Sequence, residues 1–234
     1  MRDLNLSNFR IIDLTHEIHD AIPTWTGGCG FKSKIELDYK DIGCRVMTYQ
    51  ASASAGTHMD APTHFVPDGK NISDLEVENF VAPLCVLKIS CNDSSDYFVS
   101  GEDIKRYEQE HGKIPNRSVV VLDTGWAERW KTPDLYRNID EKDQMHFPGY
   151  GLDAAKILLE RGVVGLGIDT LSIDGSNLEF PVHHFLLPEG KYFVENMASL
   201  DEVPPSGSWI IILPPKIRGG AEAPCRAIAL VPKS

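Results

Sequence analysis

Short apolar runs separated by turn formers dominate the chain, a pattern that predicts more strand than helix. Residues 9–14 are one such run, ahead of Thr15-His16-Glu17, and the turn-rich stretch 23–30 that follows makes this unit read as strand, then loop. Residues 34–39 and 45–54 carry the alternation and β-favouring residues of two strands, and Gly43 suits the turn of a hairpin between them. Residues 81–89 and 118–122 are branched-apolar runs expected as buried strands, with helical character over 101–112 between them. The clearest helix is 153–161, where Ala154, Ala155, Ile157, Leu158 and Leu159 build an apolar face and Gly162 supplies the stop. Residues 163–168 return as a buried strand, and 209–213 and 227–231 add two more. Strand, helix, strand over 118–168 predicts a crossover onto a parallel or mixed sheet. The expected fold is therefore α/β, a central mixed, β-rich sheet with flanking helices. No repeat, low-complexity segment or compositional break divides residues 1–234, which are expected to form a single domain, and 138–149 reads as a long ordered loop.

Composition narrows the function more than the fold. The 234 residues are 42% hydrophobic and 24% charged, enough to bury a substantial core. A net charge of -11, from 23 Lys and Arg against 34 Asp and Glu with no basic cluster, argues against nucleic acid and anionic membranes as partners, although a local metal ion could still attract a small carboxylate substrate. Cys29, Cys44, Cys85, Cys91 and Cys225 contain no C-x-x-C pair, so neither a disulfide framework nor a thiolate zinc site is expected. The first residues lack the apolar stretch of a secretory signal and no window approaches a membrane span, so a cytoplasmic enzyme is expected.

The densest chemistry lies in Ser54-Ala55-Gly56-Thr57-His58-Met59-Asp60-Ala61-Pro62-Thr63-His64-Phe65, at the end of a predicted strand. If His58 and Asp60 are extended they project from one face, and Pro62 turns the chain so that His64 swings back toward them. Such nitrogen and oxygen donors suit zinc or manganese, whereas magnesium or calcium would require more carboxylates. A second cluster follows far downstream, Phe180-Pro181-Val182-His183-His184-Phe185 and then Phe193-Val194-Glu195-Asn196. Its apolar neighbours imply burial, which is costly for an imidazole or carboxylate without a hydrogen bond, a charge partner or a metal. Each cluster also has a plainer reading: His58 and His64 as ordinary core or surface histidines, Glu195 as an acid paired with a histidine. Asp123 and Asp169 follow apolar strands and read as turn caps.

Residues 55–65 resemble the signature of the cyclase family of metal-dependent hydrolases, roughly H-x-G-T-H-x-D-x-P-x-H-F, which includes bacterial kynurenine formamidases and isatin hydrolases. The similarity runs from Asp13-Leu14-Thr15 and Pro23-Thr24-Trp25 through Leu122-Asp123-Thr124-Gly125-Trp126 and Gly167-Ile168-Asp169-Thr170. It continues into His183-His184, Glu195-Asn196, Leu213-Pro214-Pro215-Lys216 and Ala223-Pro224-Cys225-Arg226-Ala227. The resemblance implies that His58 and Asp60 are metal ligands, that His64 is catalytic, and that His183 and Glu195 are a later ligand pair. One position departs. Where the binuclear formamidases have their first histidine ligand this chain has Ser54, expected on the same strand face as His58 and Asp60. A hydroxyl replaces an imidazole poorly, so the site is either completed by water, reduced from two ions to one, or carried by a member that has lost the chemistry.

The same resemblance implies a swivelling β/β/α-like fold, one or two divalent ions of zinc or manganese, and a homodimer or homotetramer. It also implies opening of an amide or lactam C–N bond, as in the arylformamidase step of tryptophan catabolism. His64 suits proton transfer between water and a departing nitrogen, as an imidazole can both accept and return a proton near neutral pH, and its other role is as a further metal ligand. His184 is a second candidate for proton transfer or substrate contact. Trp25 and Phe65 are expected to hold a flat ring, with Phe147 contributing from the long loop. Two other classes share these residues: a metal-free binding or regulatory protein, for which Ser54 is the argument, and a metal-dependent cyclase or dehydratase.

Overall fold

The computed structural model describes residues 5–89 and 95–233, so Cys91 lies outside the described residues. The strands in chain order are β1 (Phe9–Asp13), β2 (Phe31–Leu37), β3 (Val46–Ala51), β4 (His58–Asp60), β5 (Val81–Lys88), β6 (Phe98–Val99), β7 (Val119–Asp123), β8 (Gly149–Tyr150), β9 (Gly165–Ile168), β10 (Tyr192–Glu195), β11 (Ser208–Leu213), β12 (Glu222–Pro224) and β13 (Arg226–Pro232). The α-helices are α1 (Tyr39–Ile42), α2 (Gly101–His111), α3 (Pro133–Arg137), α4 (Leu152–Glu160) and α5 (Pro181–Leu186). Nine strands form one sheet in the order β1-β13-β11-β5-β7-β9-β10-β4-β12. Its centre, β5-β7-β9-β10, is parallel, and both flanks are antiparallel. The predicted crossover through α4 accounts for the parallel pairing of β7 with β9.

The sheet curls until its ends meet. β12, at one edge, passes through the single residue Cys225 into β13, beside the other edge. The Cys225 amide donates to the Thr57 carbonyl just ahead of β4, and the Leu14 amide donates to Ala227 on β13. Side chains alternate between the two faces, as strand geometry requires. Val119 and Val121 of β7 point inside the curl with Met59, Val194, Ile210, Ile212, Ala223 and Ala229. Val120 and Leu122, with Leu166 and Ile168, point outward under Ile104 of α2, Ala154 and Leu158 of α4 and Leu186 of α5. Gly167 has no room for a side chain, since a Cβ there would lie 2.7 Å from the Met197 sulfur.

β2 and β3 pair into the expected hairpin, but it stands away from the sheet, and β3 ends at Ala51 rather than at Ser54. Ile35, Leu37, Tyr39, Ile42, Val46, Met47 and Tyr49 all remain exposed on it. Among the described residues no helix is long and apolar enough to cross a membrane. Cys29, Cys44, Cys85 and Cys225 are free thiols, as their spacing implied.

A third cluster, containing Ile22, Trp126, Trp130, Tyr136 and Phe147, closes the end of the sheet near β4. His16 stacks on Trp130 with ring centroids 4.1 Å apart, and its backbone amide donates to the Thr57 hydroxyl. Burial drives the His16 pKa down to about 4, against a weaker upward pull from a hydrogen bond to the Met197 backbone. The unfolded chain then binds a proton between pH 6.5 and 4 that the folded chain refuses. This contribution to stability is complete above pH 6.5 and lost as the pH falls toward 4, by at most about 3 kcal/mol. Urea midpoints measured across that window are expected to fall less steeply in His16→Phe, which keeps the stack. An identical slope in the variant would contradict the assignment.

Candidate active site

The site is built on one face of three adjacent strands, β10, β4 and β12. In their antiparallel register Glu195 lies opposite His58, and both Phe193 and Glu222 lie opposite Asp60. Directly paired residues share a face, and so do His58 and Asp60 two positions apart, so His58, Asp60, Glu195 and Glu222 all project together. Met59, Val194 and Ala223 between them turn inward to the core. Alternation thus supplies an apolar anchor under every polar group.

Helix α5 brings His183 over this face. Phe180 adopts the left-handed conformation and Pro181 starts the helix, for which a fixed φ is well suited. Asp174 then holds the helix start: its carboxylate accepts from the amides of Val182 at 2.7 Å and His183 at 3.0 Å, and lies 2.5 Å from His183 Nδ1. The turn bearing Asp174 packs directly on β8, where a Cβ on Gly149 would lie 2.2 Å from the Gly175 nitrogen. With Nδ1–H donating to Asp174, His183 Nε2 is left free, 3.6 Å from an oxygen of Asp60 and 3.6 Å from one of Glu195.

His58 is oriented in the same sense. Its Nδ1 lies 3.0 Å from the Gly56 carbonyl, which fixes the proton there and leaves Nε2 facing Asp60 Oδ1 at 3.5 Å and Glu195 Oε2 at 3.6 Å. Asn196 supports that loop by donating to the same Gly56 carbonyl, and its own Oδ1 lies 2.9 Å from the Tyr136 hydroxyl. Gly56 takes φ +69°, which lets the chain turn sharply into β4. Glu195 is anchored by the Ile173 amide at 2.8 Å.

The electrostatics are those of a site short of positive charge. Burial drives the Glu195 carboxyl well above its usual range, and the neighbouring Asp60 pushes it further the same way. Burial also raises Asp60, but the imidazoles of His183, His58 and His64 outweigh it and leave the group below its ordinary value. At His183 the loss of hydration lowers the pKa, yet Asp174, Asp60 and Glu195 overcome this and push it up to about 10. Protein groups that hold a proton so firmly on an imidazole attract any cation, and metal binding would displace that proton. Asp60 Oδ1 is buried without a hydrogen-bond partner, which is costly for an ionised carboxylate.

These residues fit a divalent ion. The donor atoms of Asp60, His64 and His183 lie within 4.8 Å of one another, and so do those of His58, Asp60 and Glu222, with Asp60 common to both sets. Two imidazoles with Nδ1 tied back and buried carboxylates between them form a donor set for a first-row divalent metal. Replacing Asp174 with Asn is expected to weaken divalent metal binding about 10- to 100-fold, the usual cost of removing a group that orients a ligand histidine. Competition with a chromophoric chelator would measure it, and an unchanged affinity would show that Asp174 only caps α5.

Beside the donors lies a cavity of about 440 Å³ whose lining includes Trp25, Ser54, Phe65, Leu171 and Phe180 with His58, His64, His183, Glu195 and Glu222. Phe65 stacks obliquely 4.5 Å from His183, and Phe180 lies 5.4 Å from Phe65 and 5.9 Å from Trp25. Such a slot suits a planar ring. His64 reaches it from a short 3-10 turn over Pro62–His64, so Pro62 does bend the chain back as expected, and the His64 side chain is 31% exposed.

Three expectations need correction. Ser54 is not on the His58 strand face: it sits in a turn before Gly56 and reaches the cavity from there. His184 points to solvent, 5.1 Å from the Phe65 ring, because consecutive helical residues diverge by about 100° and His183 takes the inward position. Phe147 is fully buried behind Trp25, at 6.2 Å, and packs with Trp126 rather than lining the cavity. Asp169 does cap a turn, accepting from Thr124 and Trp126, and burial raises it to about 7. Sequence reasoning missed Asp174, Glu222, Phe180 and Leu171. Only Asp174 offered a signal, an acidic residue ahead of a Pro-started helix.

Residues 12–175 match the family model described as Cyclase. The chain is 35% identical over 192 residues to an isatin hydrolase of Roseibium aggregatum, covering 77% of this chain and 72% of that one. It is 28% identical over 222 residues to a kynurenine formamidase of Bacillus cereus, covering 93% and 95%. Isatin hydrolase A from Labrenzia aggregata, solved with benzyl benzoate bound, superposes with a TM-score of 0.90 at 30% identity, over 98% of this chain and 96% of that one. With a shared fold, a matching family model and a donor set suited to a divalent ion, this chain belongs to the cyclase family of metal-dependent hydrolases.

Proposed function

We propose that the chain hydrolyses the amide or lactam C–N bond of a small, flat, aromatic molecule of the isatin or N-formylkynurenine type. The observation that carries this reading is the convergence of two imidazole Nε2 atoms and the orphaned Asp60 oxygen beside an aromatic-lined cavity. When bound, a divalent ion supplies an acidified water and polarises the substrate carbonyl. His64, partly exposed in the cavity lining, accepts a proton from the attacking water and delivers it to the departing nitrogen. Trp25, Phe65 and Phe180 hold the ring and keep bulk water from the reacting carbonyl.

Zinc and manganese are the metals this donor set favours, as one or two ions. The buried, partnerless Asp60 oxygen weighs against a metal-free binding protein, and the hydrolase names of the relatives weigh against a cyclase or dehydratase. The exposed apolar hairpin supports a homodimer or homotetramer, since a ribbon of two strands gains stability when its apolar side is covered. Free thiols on the surface are consistent with the reducing cytoplasm.

Incubation with isatin, N-formylkynurenine and related amides, followed by absorbance after addition of zinc or manganese, tests the reaction class. Turnover of at least one amide that stops on chelation is expected. No turnover of any of them with either ion would overturn the hydrolase reading.

A further inference from the structure

We propose that Glu222 is a metal ligand, so that an ion in the site is held by His58, Asp60 and Glu222. This inference rests on the metal reading of the site given above. Glu222 sits on β12 in register with Asp60, which places its carboxylate on the same face as His58 and Asp60. Glu222 Oε1 lies 4.0 Å from His58 Nε2, and Asp60 Oδ1 lies 3.5 Å from that same nitrogen. Donors each about 2.1 Å from one ion are at most about 4.2 Å apart, so both separations suit a shared cation.

Two further observations point the same way. Asp60 Oδ1, the oxygen that faces His58, is buried with no hydrogen-bond partner. Ser54 also lines this cavity, and a neutral hydroxyl there does nothing to offset the charge of the carboxylates. The Glu222 side chain is 19% exposed, its imidazole neighbours are His58 and, at 3.7 Å, His64, and the Asp60 and Glu195 carboxylates lie close by. A carboxylate aimed at two imidazoles and beside a second, partnerless carboxylate is repelled by its neighbour unless a cation lies between them.

The chemistry follows from the donor types. One nitrogen and two carboxylate oxygens make a harder set than one rich in imidazole, and oxygen donors raise the affinity for manganese relative to zinc. The β12 carboxylate thus tunes which metal the protein selects, in addition to how tightly it binds.

Isothermal titration of the full chain with Mn²⁺ and, separately, Zn²⁺ tests the assignment in wild type, Glu222→Gln and Glu222→Ala. Glu222→Gln keeps the shape of the side chain, so its fold is preserved. The dissociation constant for Mn²⁺ is expected to rise at least about tenfold in both variants, and by a larger factor than that for Zn²⁺. An equal loss for the two ions would overturn ligation, because removal of a distant charge weakens both dications alike. Unchanged Mn²⁺ affinity would also overturn it. If wild type binds neither ion, the metal reading itself fails, which separates that failure from the failure of Glu222 as a ligand.

Discussion

Asp60→Asn is expected to abolish metal uptake and to lower kcat/KM on any accepted amide at least about a thousandfold, equivalent to about 4 kcal/mol of transition-state stabilisation. Asp60 belongs to both donor sets and faces three imidazoles, so no other side chain touches as much of the site. Asn preserves its shape and removes its charge, which leaves His183 and His58 without the carboxylate between them. The protein is expected to remain folded but to unfold at a lower temperature than wild type in chelator, because the folded state holds the Asp60 carboxyl below its ordinary value and so gains stability from its charge, and Asn leaves the facing imidazoles without it. Elemental analysis, amide turnover and thermal unfolding of the same preparation check all three. An unfolded variant, or one with full metal content, would contradict the role given to Asp60.

The second large effect concerns His64. His64→Ala is expected to lower kcat by about 10²- to 10⁴-fold, the range for loss of a positioned acid–base group, while metal content stays near that of wild type. The side chain is 31% exposed, and it lines the cavity beside the other donors. That position suits a group which must exchange protons with bulk water between turnovers. Its donor atom also lies within reach of Asp60 and His183, so geometry alone permits ligation. The variant separates the two roles: loss of rate with the ion retained identifies a proton carrier, and loss of the ion with the rate identifies a ligand.

The elements legible in the sequence are those whose side-chain pattern is set within a single segment. β5, β7 and β9 read as buried strands because both of their faces are covered, and α4 because its apolar stripe and the following Gly162 are local signals. β4, β10 and β12 were not legible as strands, since each is only three or four residues long and its register depends on neighbours far away in the chain. That register is what sets Glu222 against Asp60, so the Glu222 contribution could not be read from spacing. Asp174 was missed because its role is set by packing of the 174–175 turn on Gly149. His58, Asp60 and His64 were singled out by their resemblance to the family signature, and a short extended segment followed by a proline bend does bring their donor atoms to one place. His184 and Phe147 failed for a related reason: each neighbours a residue that does face the site, and only the rotation of a helix or the depth of a core decides which one does.

The central claim, that imidazoles and carboxylates from residues 58–64 and 183–195 converge on a divalent cation, is tested most directly by diffraction from manganese-soaked crystals at the manganese absorption edge. An anomalous peak is expected within ligand distance of Asp60 and of at least one of His58 Nε2 and His183 Nε2. Catalytically active crystals with no peak at that position, or with the peak elsewhere on the molecule, would contradict it.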